Sequence, residues 1–305
     1  MCGRTSASRG RRRPRRPFRA SRPRESGKRA APTPEGPTNS RVAVVTGASS
    51  GIGREFARLA AGDGYEVVLV ARRRERLEEL ARELTGTFGV AAIPLAADLS
   101  NPAAPERIFR EVTGSRPDVD LLVNAAGLGV HGMFADAPLD RQLETLQVNV
   151  LALTALTKLF LTGMRERRRG VIVNLASTAA FQPGPFMAVY YASKAYVLSF
   201  TEALAEELRG TGVTATALCP GPTVTEFQKL AGVEDTPLFT GSVVSDAATV
   251  ARAGYEGAMK GKRVVVPGQA NRILGLAARI GPRRLSTRVA RRLQEKRSRR
   301  PRKES

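Results

Sequence analysis

A tyrosine and a lysine stand four residues apart at Tyr190 and Lys194. A phenol, with a pKa of about 10, exchanges protons poorly at neutral pH until a nearby cation lowers that pKa. Residues i and i+4 share one face of a helix, so the ammonium of Lys194 could stabilise the phenolate of Tyr190. Tyr191 lacks such a partner because Ala195 stands four residues after it. Tyr190 is therefore the candidate proton donor for an oxygen that gains negative charge, as a carbonyl oxygen does when its carbon accepts a hydride.

A glycine-rich segment at residues 46–53 reads TGASSGIG. Glycines permit a tight turn and let backbone amides approach a pyrophosphate, while the N-terminus of a following helix carries partial positive charge. The alternative is a strand-to-helix turn whose glycines serve close packing only. The position of the segment at the first β-to-α junction favours a nucleotide site. The candidate contacts are Gly47, Ser49, Ser50, Gly51, Ile52 and Gly53.

The choice of nucleotide depends on the end of the second strand. An NAD site places an acidic residue there, about 20 residues beyond the glycines, to bind the ribose hydroxyls. Residues 71–74 read ARRR instead, and Arg72 could pair with the 2′-phosphate of NADP(H). Alternatively, these arginines form a solvated helix start with the glutamates that follow. The pattern favours NADP(H).

Short β-branched runs alternate with helical patterns from residue 41 onward. This alternation is typical of a parallel sheet covered by helices on both faces. Seven strands are predicted, at residues 42–45, 67–70, 90–95, 119–123, 171–175, 213–218 and 263–266. The expected fold is α/β, a doubly wound (Rossmann), mostly parallel seven-stranded sheet that binds ligands beyond the carboxyl ends of its strands.

The formal charge of +21 lies almost entirely at the two ends of the 305-residue chain. Residues 1–40 and 279–305 each carry 12 Lys or Arg against 2 Asp or Glu, whereas residues 41–278 carry 25 against 24. We expect a basic, proline- and arginine-rich disordered extension at 1–40, an NADP-binding catalytic domain at 41–268 and a basic amphipathic helical tail at 269–305. Phe18 is the only aromatic residue of the N-terminal extension. No specific nucleic-acid binding is therefore expected.

Few residues are available for metal sites, disulfides or membrane spans. The chain has two cysteines, Cys2 and Cys219, and one histidine, His131, so neither a zinc site nor a disulfide framework is expected. His131 lies in a glycine-rich segment and is expected to face solvent. The longest apolar helical stretch, residues 150–161, is short and contains Lys158. We therefore expect no membrane span and a location in the cytoplasm or at a membrane surface.

Over residues 41–268 the chain resembles the short-chain dehydrogenase/reductase family. Residues 46–53 match its TGxxxGxG motif, residues 124–127 match its NNAG motif with one change, and residues 190–194 match YxxxK. Asn149 lies 28 residues before Ser177, which lies 13 before Tyr190. Both intervals suit the family's Asn-Ser-Tyr-Lys tetrad.

The resemblance implies roles for all four members of this tetrad. Tyr190 would act as acid in reduction and as base in oxidation, and Ser177 would orient the substrate carbonyl. Lys194 would also contact the nicotinamide ribose, and Asn149 would hold a water in a proton relay behind the lysine.

Further cofactor contacts follow from the family's other motifs. Asp98 and Leu99 resemble its adenine-contacting pair, although an Asp at a loop start could only shape a turn. Residues 220–225 read PGPTVT and resemble PGxVxT, whose last Thr contacts the nicotinamide carboxamide. Ala125 and Thr223 depart from the usual Asn and Val. The implied contacts from these segments are Asp98, Leu99, Asn124, Ala126, Gly127, Pro220, Gly221, Thr223 and Thr225.

Apolar residues border the expected nicotinamide position and suggest an apolar ketone, aldehyde or 3-oxoacyl substrate. They are Phe181, Phe186, Met187, Phe227, Leu230, Leu238 and Phe239. Alternatively, they only pack a lid in place. The resemblance implies a homodimer or homotetramer formed through the helices that carry Asn149 and Tyr190.

The arginines around residues 283–292 interleave with Leu285, Val289 and Leu293 at helical spacing. Such a basic amphipathic helix could contact an anionic membrane surface or pack against protein. A different functional class also stays open, a non-catalytic NADP(H)-binding regulatory or interaction protein that uses its arginine-rich tails. Such a protein would have no need of the tetrad.

Overall fold

Seven parallel strands form the central sheet of the protein, in a computed structural model that describes residues 41–240 and 244–295. The strand order is β3-β2-β1-β4-β5-β6-β9. The seven strands are β1 (Val42–Thr46), β2 (Glu66–Ala71), β3 (Ala92–Ala96), β4 (Val119–Asn124), β5 (Gly170–Leu175), β6 (Val213–Leu218) and β9 (Val264–Val265). The predicted doubly wound α/β fold is confirmed.

Strand β1 lies in the interior of the sheet, where it pairs in parallel with β2 and β4, and every one of its residues is buried. Its continuous apolar sequence is typical of a strand covered on both faces. Strand β9 is shorter than the predicted 263–266. Two more short strands, β7 (Thr223–Val224) and β8 (Ser245–Asp246), form a separate parallel pair that periodicity did not predict.

Two layers of helices cover the sheet. Phe56, Leu80 and Val250 come from the layer on one face, and Ile108, Leu156 and Leu204 from the layer on the other. The first layer contains α1 (Gly51–Gly62), α2 (Arg74–Phe88) and α9 (Ala247–Met259), and the second contains α3 (Ala104–Thr113), α4 (Leu139–Leu146), α5 (Leu153–Glu166) and α6 (Ala188–Glu207).

A π-helical turn at Gln147–Ala152 joins α4 and α5 into one continuous helix. By length and composition alone this helix could cross a membrane, with a mean hydropathy of 1.3 over its most apolar window. Its side chains Val148, Leu156 and Phe160, however, are buried against the sheet. The core therefore accounts for the apolar side chains on one face of the helix, whereas Leu139, Leu143 and Leu151 are exposed.

The remaining helices lie at the carboxyl edge of the sheet and after it. They are α7 (Phe227–Ala231), α8 (Pro237–Thr240), α10 (Gln269–Ile280) and α11 (Arg283–Gln294), together with a 3₁₀ turn at Thr178–Phe181. The expected helical character of the segment after residue 268 thus takes the form of two helices that break at Gly281–Pro282. The expected disordered extension at 1–40 and the end of the tail, 296–305, lie outside the described residues.

Candidate active site

A cavity of about 390 Å³ opens at the carboxyl ends of the central strands. Most of the residues predicted from the sequence line it. They are Gly47, Ser49, Ser50, Gly51, Ile52, Gly53, Arg72, Asp98, Leu99, Ala126, Gly127, Ser177, Tyr190, Lys194, Pro220, Gly221, Thr223 and Thr225. Asn124 and Asn149 are buried behind the cavity wall instead.

The glycine segment follows β1 and leads into α1. Gly47 has a φ of +69°, and a Cβ there would lie 2.8 Å from the backbone nitrogen of Ala126. A Cβ on Gly53 would lie 2.5 Å from the carbonyl oxygen of Gly47. Both positions therefore exclude any side chain, and the first turn of α1 opens into the cavity with its backbone amides accessible.

Two arginines follow β2 at the same end of the cavity. Arg73, which was not singled out in the sequence, donates hydrogen bonds to the hydroxyls of Ser49 (3.0 Å) and Ser50 (3.3 Å). Its second Nη atom lies 2.7 Å from a carboxylate oxygen of Glu226. Arg72 is half exposed and lies 3.5 Å from Glu144. Both arginines line the cavity, and so do the acidic residues Asp98 and Glu226.

The proton-transfer residues meet at the start of α6. Ser177 caps the 3₁₀ turn by accepting a hydrogen bond from the backbone of Ala179 (3.1 Å), and its hydroxyl donates to the carbonyl oxygen of Pro220 (3.4 Å). The same hydroxyl lies close enough to the phenol of Tyr190 to lower the pKa of that phenol. The ammonium of Lys194 lies 5.8 Å from the centre of the Tyr190 ring and donates to the carbonyl oxygen of Leu175 (2.6 Å). The three side chains thus converge on one wall of the cavity.

Burial dominates the proton affinities of this group. Burial raises the pKa of Tyr190, and the nearby Ser177 hydroxyl opposes this increase. Burial also lowers the pKa of Lys194 to about 8, because a buried ammonium loses its hydration. The sequence predicted that Lys194 lowers the pKa of Tyr190. In this geometry, however, burial, Ser177 and Tyr191 determine that pKa. The lysine is therefore poised to change charge close to neutral pH.

Asn149 lies in the π-helical turn and is fully engaged with protein atoms. Its amide nitrogen donates to the carbonyl oxygen of Leu128 (2.9 Å) and the hydroxyl of Ser193 (3.0 Å), and its oxygen accepts from the backbone nitrogen of Leu128 (2.8 Å). The side chain therefore fixes the loop after β4 against α6. Such π-helical turns occur frequently at functional sites.

Asn124 braces the sheet. Its amide donates to Thr157 on α5 (3.0 Å) and to Asn174 on β5 (2.9 Å), and Asn174 in turn donates to Thr201 on α6 (3.0 Å). The two residues that follow Asn124, at positions 125 and 126, donate from their backbone nitrogens to the hydroxyl of Thr46. These hydrogen bonds hold in place the backbone of residues 125–127, which lines the cavity. Asn124 itself supports that backbone and does not line the cavity.

Two other loops complete the nucleotide end of the cavity. The Asp98 carboxylate accepts from the backbone of Ser100 (3.0 Å), so Asp98 shapes its turn while also lining the cavity. Thr225 packs against Gly51, where a Cβ would lie 2.9 Å from the Thr225 methyl carbon. The loop after β6 and the glycine segment therefore enclose the cavity from opposite sides.

The opposite end of the cavity is apolar and draws on more of the chain than the sequence indicated. Met187, Phe227, Leu230, Leu238 and Phe239 line it as expected. Two expected members do not, because Phe181 packs under α10 at Gly275, and Phe186 stacks on His131 at 5.9 Å between ring centres.

The last turn of α11 also enters this end through Leu293 and Gln294, which sequence reasoning missed. The expectation that His131 faces solvent is wrong. The histidine is half buried, and its Nε2 lies 2.7 Å from the backbone oxygen of Gln294. The amphipathic pattern of residues 283–293 predicted a helix there, but it did not indicate which face of that helix packs against the domain.

Comparison with known proteins agrees with this geometry. The family model described as short chain dehydrogenase matches residues 41–234. The chain belongs to the short-chain dehydrogenase family. Proteins of this family are oxidoreductases that use a nicotinamide cofactor. The predicted family membership is confirmed.

Two curated relatives and one solved structure illustrate the likeness. A short chain dehydrogenase of Pseudocercospora fijiensis is 40% identical over 195 residues, covering 63% of each chain. A very-long-chain 3-oxoacyl-CoA reductase of Anas platyrhynchos is 33% identical over 201 residues, covering 64% of each. The match thus spans less than two thirds of these relatives. A short-chain dehydrogenase from Sphingobium yanoikuyae in complex with NADPH has a TM-score of 0.71 and 32% identity, over 77% of this chain and 92% of that one.

Proposed function

We propose that the protein is an NADP(H)-dependent oxidoreductase that interconverts an apolar ketone, aldehyde or 3-oxoacyl compound and the corresponding alcohol. The observation that carries the proposal is the convergence of three side chains. Tyr190 lies beside Ser177 and stands one helical turn from Lys194, within a cavity that also contains the glycine segment.

The cavity fits a dinucleotide. In the proposed complex the glycine segment would receive the pyrophosphate, Asp98 and Leu99 the adenine, and Thr225 with Lys194 the nicotinamide riboside, and all of these residues line the cavity. When bound, the nicotinamide would supply or accept the hydride. The protein's own residues then have to position the carbonyl and deliver the proton.

Proton delivery falls to Tyr190 in this mechanism. In reduction its phenol gives a proton to the substrate oxygen as the carbonyl carbon gains a hydride, and in oxidation the phenolate takes that proton back. Ser177 donates a hydrogen bond to the same oxygen and stabilises the developing charge. Lys194 offsets the charge left on Tyr190, which matters because burial otherwise disfavours the phenolate.

Asn149 does not line the cavity, and in the proposed mechanism it supports Tyr190 and Lys194 indirectly. Because both of its amide atoms are engaged with Leu128 and Ser193, a relay water would have to be held by its backbone carbonyl in the π-helical turn. Asn149 is in this sense a positioning residue.

The preference for NADP(H) rests on the two arginines after β2. Arg72 and Arg73 both border the cavity, and the Arg73 guanidinium already donates to hydroxyls of the glycine segment. Guanidinium groups bind phosphates through charge-assisted, often bidentate hydrogen bonds. The NADPH bound to the Sphingobium yanoikuyae relative is consistent with this preference.

Two further partners are part of the proposal. A homodimer or homotetramer would cover Leu143, Leu151 and Tyr196, which are exposed on the helices that carry Asn149 and Tyr190. An anionic membrane surface would suit the outer side of α10 and α11, where exposed Ile280 and Leu285 lie among seven arginines and one glutamate over residues 269–295. Residues 1–40 and 296–305, which carry further arginines, lie outside the described residues.

NADPH oxidation, followed by absorbance over a panel of ketones, aldehydes and 3-oxoacyl thioesters, tests the proposal. Turnover should prefer NADPH to NADH and fall about 10²–10⁴-fold in Tyr190→Phe, because the general acid is lost. Tyr196→Phe is the matched control, since Tyr196 is exposed and bonds only to Thr154 among the described residues. NADPH binding without turnover of any substrate would favour the non-catalytic alternative.

A further inference from the structure

Helix α11 buries Ala290 and Gln294 against the rest of the domain and leaves several of its apolar side chains exposed. Ala290 and Gln294 are each 1% exposed, whereas Leu285 and Val289 are exposed. Two contacts hold the end of the helix in place. One joins His131 to the backbone oxygen of Gln294, and the other places the Arg291 guanidinium 5.6 Å above the ring of Phe186. A glutamine side chain is thereby fixed in the cavity wall.

Half of the Gln294 amide has no partner. Its nitrogen donates to the hydroxyl of Tyr191 at 2.9 Å. Its oxygen is buried and accepts no hydrogen bond from any residue that the structure describes. Tyr191 is also buried, and its hydroxyl has a hydrogen left to donate once it has accepted from Gln294.

The same surplus exists for either orientation of the amide. If the amide were reversed, Tyr191 would donate to its oxygen, and the amide nitrogen and the tyrosine oxygen would be left over. In both arrangements the pair retains at least one unused donor and at least one unused acceptor. Buried polar groups in folded proteins are normally satisfied, so such a surplus inside a cavity points to a ligand.

The surroundings of the pair define the chemistry of that ligand. Phe227, Leu238, Phe239 and Leu293 line the same end of the cavity. The arginines among the described lining residues, Arg72 and Arg73, follow β2 at the nucleotide end. Lys194 also lines the cavity, but it donates to the carbonyl oxygen of Leu175, and the Arg291 guanidinium lies over the ring of Phe186. In the described part of the chain no cation is hydrogen-bonded to the side chain of Gln294 or Tyr191, whereas a neutral group that both donates and accepts would pair with both.

We propose that Gln294 and Tyr191 determine substrate specificity by binding a neutral hydroxyl or amide group on an otherwise apolar carbonyl substrate. The substrate oxygen that reacts bonds to Tyr190 and Ser177, and the second polar group bonds to the Gln294–Tyr191 pair. The adjacency of Tyr190 and Tyr191, with ring centres 6.1 Å apart, places both contacts on one wall. This inference rests on the proposed reductase function and narrows its substrate class.

The test compares pairs of cyclic ketones, each pair a ketone with a ring hydroxyl distant from the carbonyl and its deoxy analogue. Monocyclic, bicyclic and tetracyclic pairs sample different separations of the two groups. In the full-length protein with NADPH, kcat/KM for the hydroxylated member of at least one pair should exceed that of its analogue about tenfold, as one added hydrogen bond allows. Gln294→Met and Tyr191→Phe should each reduce that ratio towards one, with the loss falling on KM.

Leu285→Gln is the matched control, since Leu285 lies on the outer side of the same helix, and the ratio should be retained there. NADPH affinity, measured by fluorescence, verifies that each variant is folded. A hydroxyl preference that survives in both Gln294→Met and Tyr191→Phe would overturn the inference. So would turnover without any hydroxyl preference in the unaltered protein, although the reductase assignment would then stand. No turnover of any pair by a protein that reduces another member of the carbonyl panel would overturn this inference alone, and no turnover of either set would overturn both.

Discussion

The two ends of the cavity are built in different ways. At the nucleotide end, backbone approaches backbone, and a Cβ on Gly47 or Gly53 would meet main-chain atoms within 3 Å. At the substrate end, side chains from α6, α7, α8 and α11 meet one another across the cavity. The first end tolerates almost no added atom, whereas the second can be rebuilt by exchanging side chains. One fold can therefore keep a common cofactor while its substrates vary.

The most disruptive change expected is Gly53→Val at the nucleotide end. A side chain there meets the carbonyl oxygen of Gly47 at 2.5 Å, so the glycine segment has to move. We expect loss of measurable NADPH binding, with or without loss of soluble protein. Gly86→Ala is the control, because a Cβ at Gly86 in α2 has no neighbour within 4 Å. Calorimetric titration with NADPH measures both, and tight binding by Gly53→Val would remove the distinction between the two ends.

A smaller effect is expected from the arginines at the same end. Arg72→Ser and Arg73→Ser should each raise the KM for NADPH by about 10- to 100-fold, the range for loss of a hydrogen bond to a charged group. The KM for NADH should change little, because NADH has no 2′-phosphate. Arg82→Ser, exposed on α2, should alter neither value. Equal losses with both cofactors would assign these arginines to the fold rather than to cofactor choice.

The smallest of these effects is a pH dependence centred on Lys194, between the two ends. Burial lowers the pKa of its ammonium to about 8, so the cation beside Tyr190 is lost as the pH rises through that value. Reductive kcat/KM should accordingly be about tenfold lower at pH 9 than at pH 7. In Lys194→Arg the guanidinium stays protonated, and the remaining activity should lose this midpoint. Lys158→Arg, on an exposed position of α5, should retain it.

Sequence reasoning succeeded where backbone geometry demands particular residues. The glycine segment and the Tyr190-to-Lys194 spacing are local patterns, and the alternation of strands and helices predicts where their ends meet. The sequence could not predict that Asn124 and Asn149 lie behind the cavity wall. The direction of a buried amide depends on distant partners such as Thr157 and Ser193.

The substrate end was the least predictable region. Gln294 and Tyr191 are 103 positions apart, and Gln294 and His131 are 163 apart, so no local pattern joins them. Phe181 was expected in the cavity on its apolar character alone, but Gly275 leaves room for it under α10. Arg73 was missed for a similar reason, since adjacent arginines differ only in where their side chains reach.

The position of β1 between β2 and β4 has a consequence for how the chain folds. Its neighbour β2 follows soon in the sequence, but the contact between Thr46 and Val123 of β4 spans 77 positions. Pairing over such a separation is slow, because a long loop has to close first. Until β4 arrives, the strand VAVVT has an unpaired apolar edge that can pair with another chain. Incomplete molecules, rather than the finished protein, are therefore the species most prone to aggregate, and dilute or slow synthesis favours the native sheet.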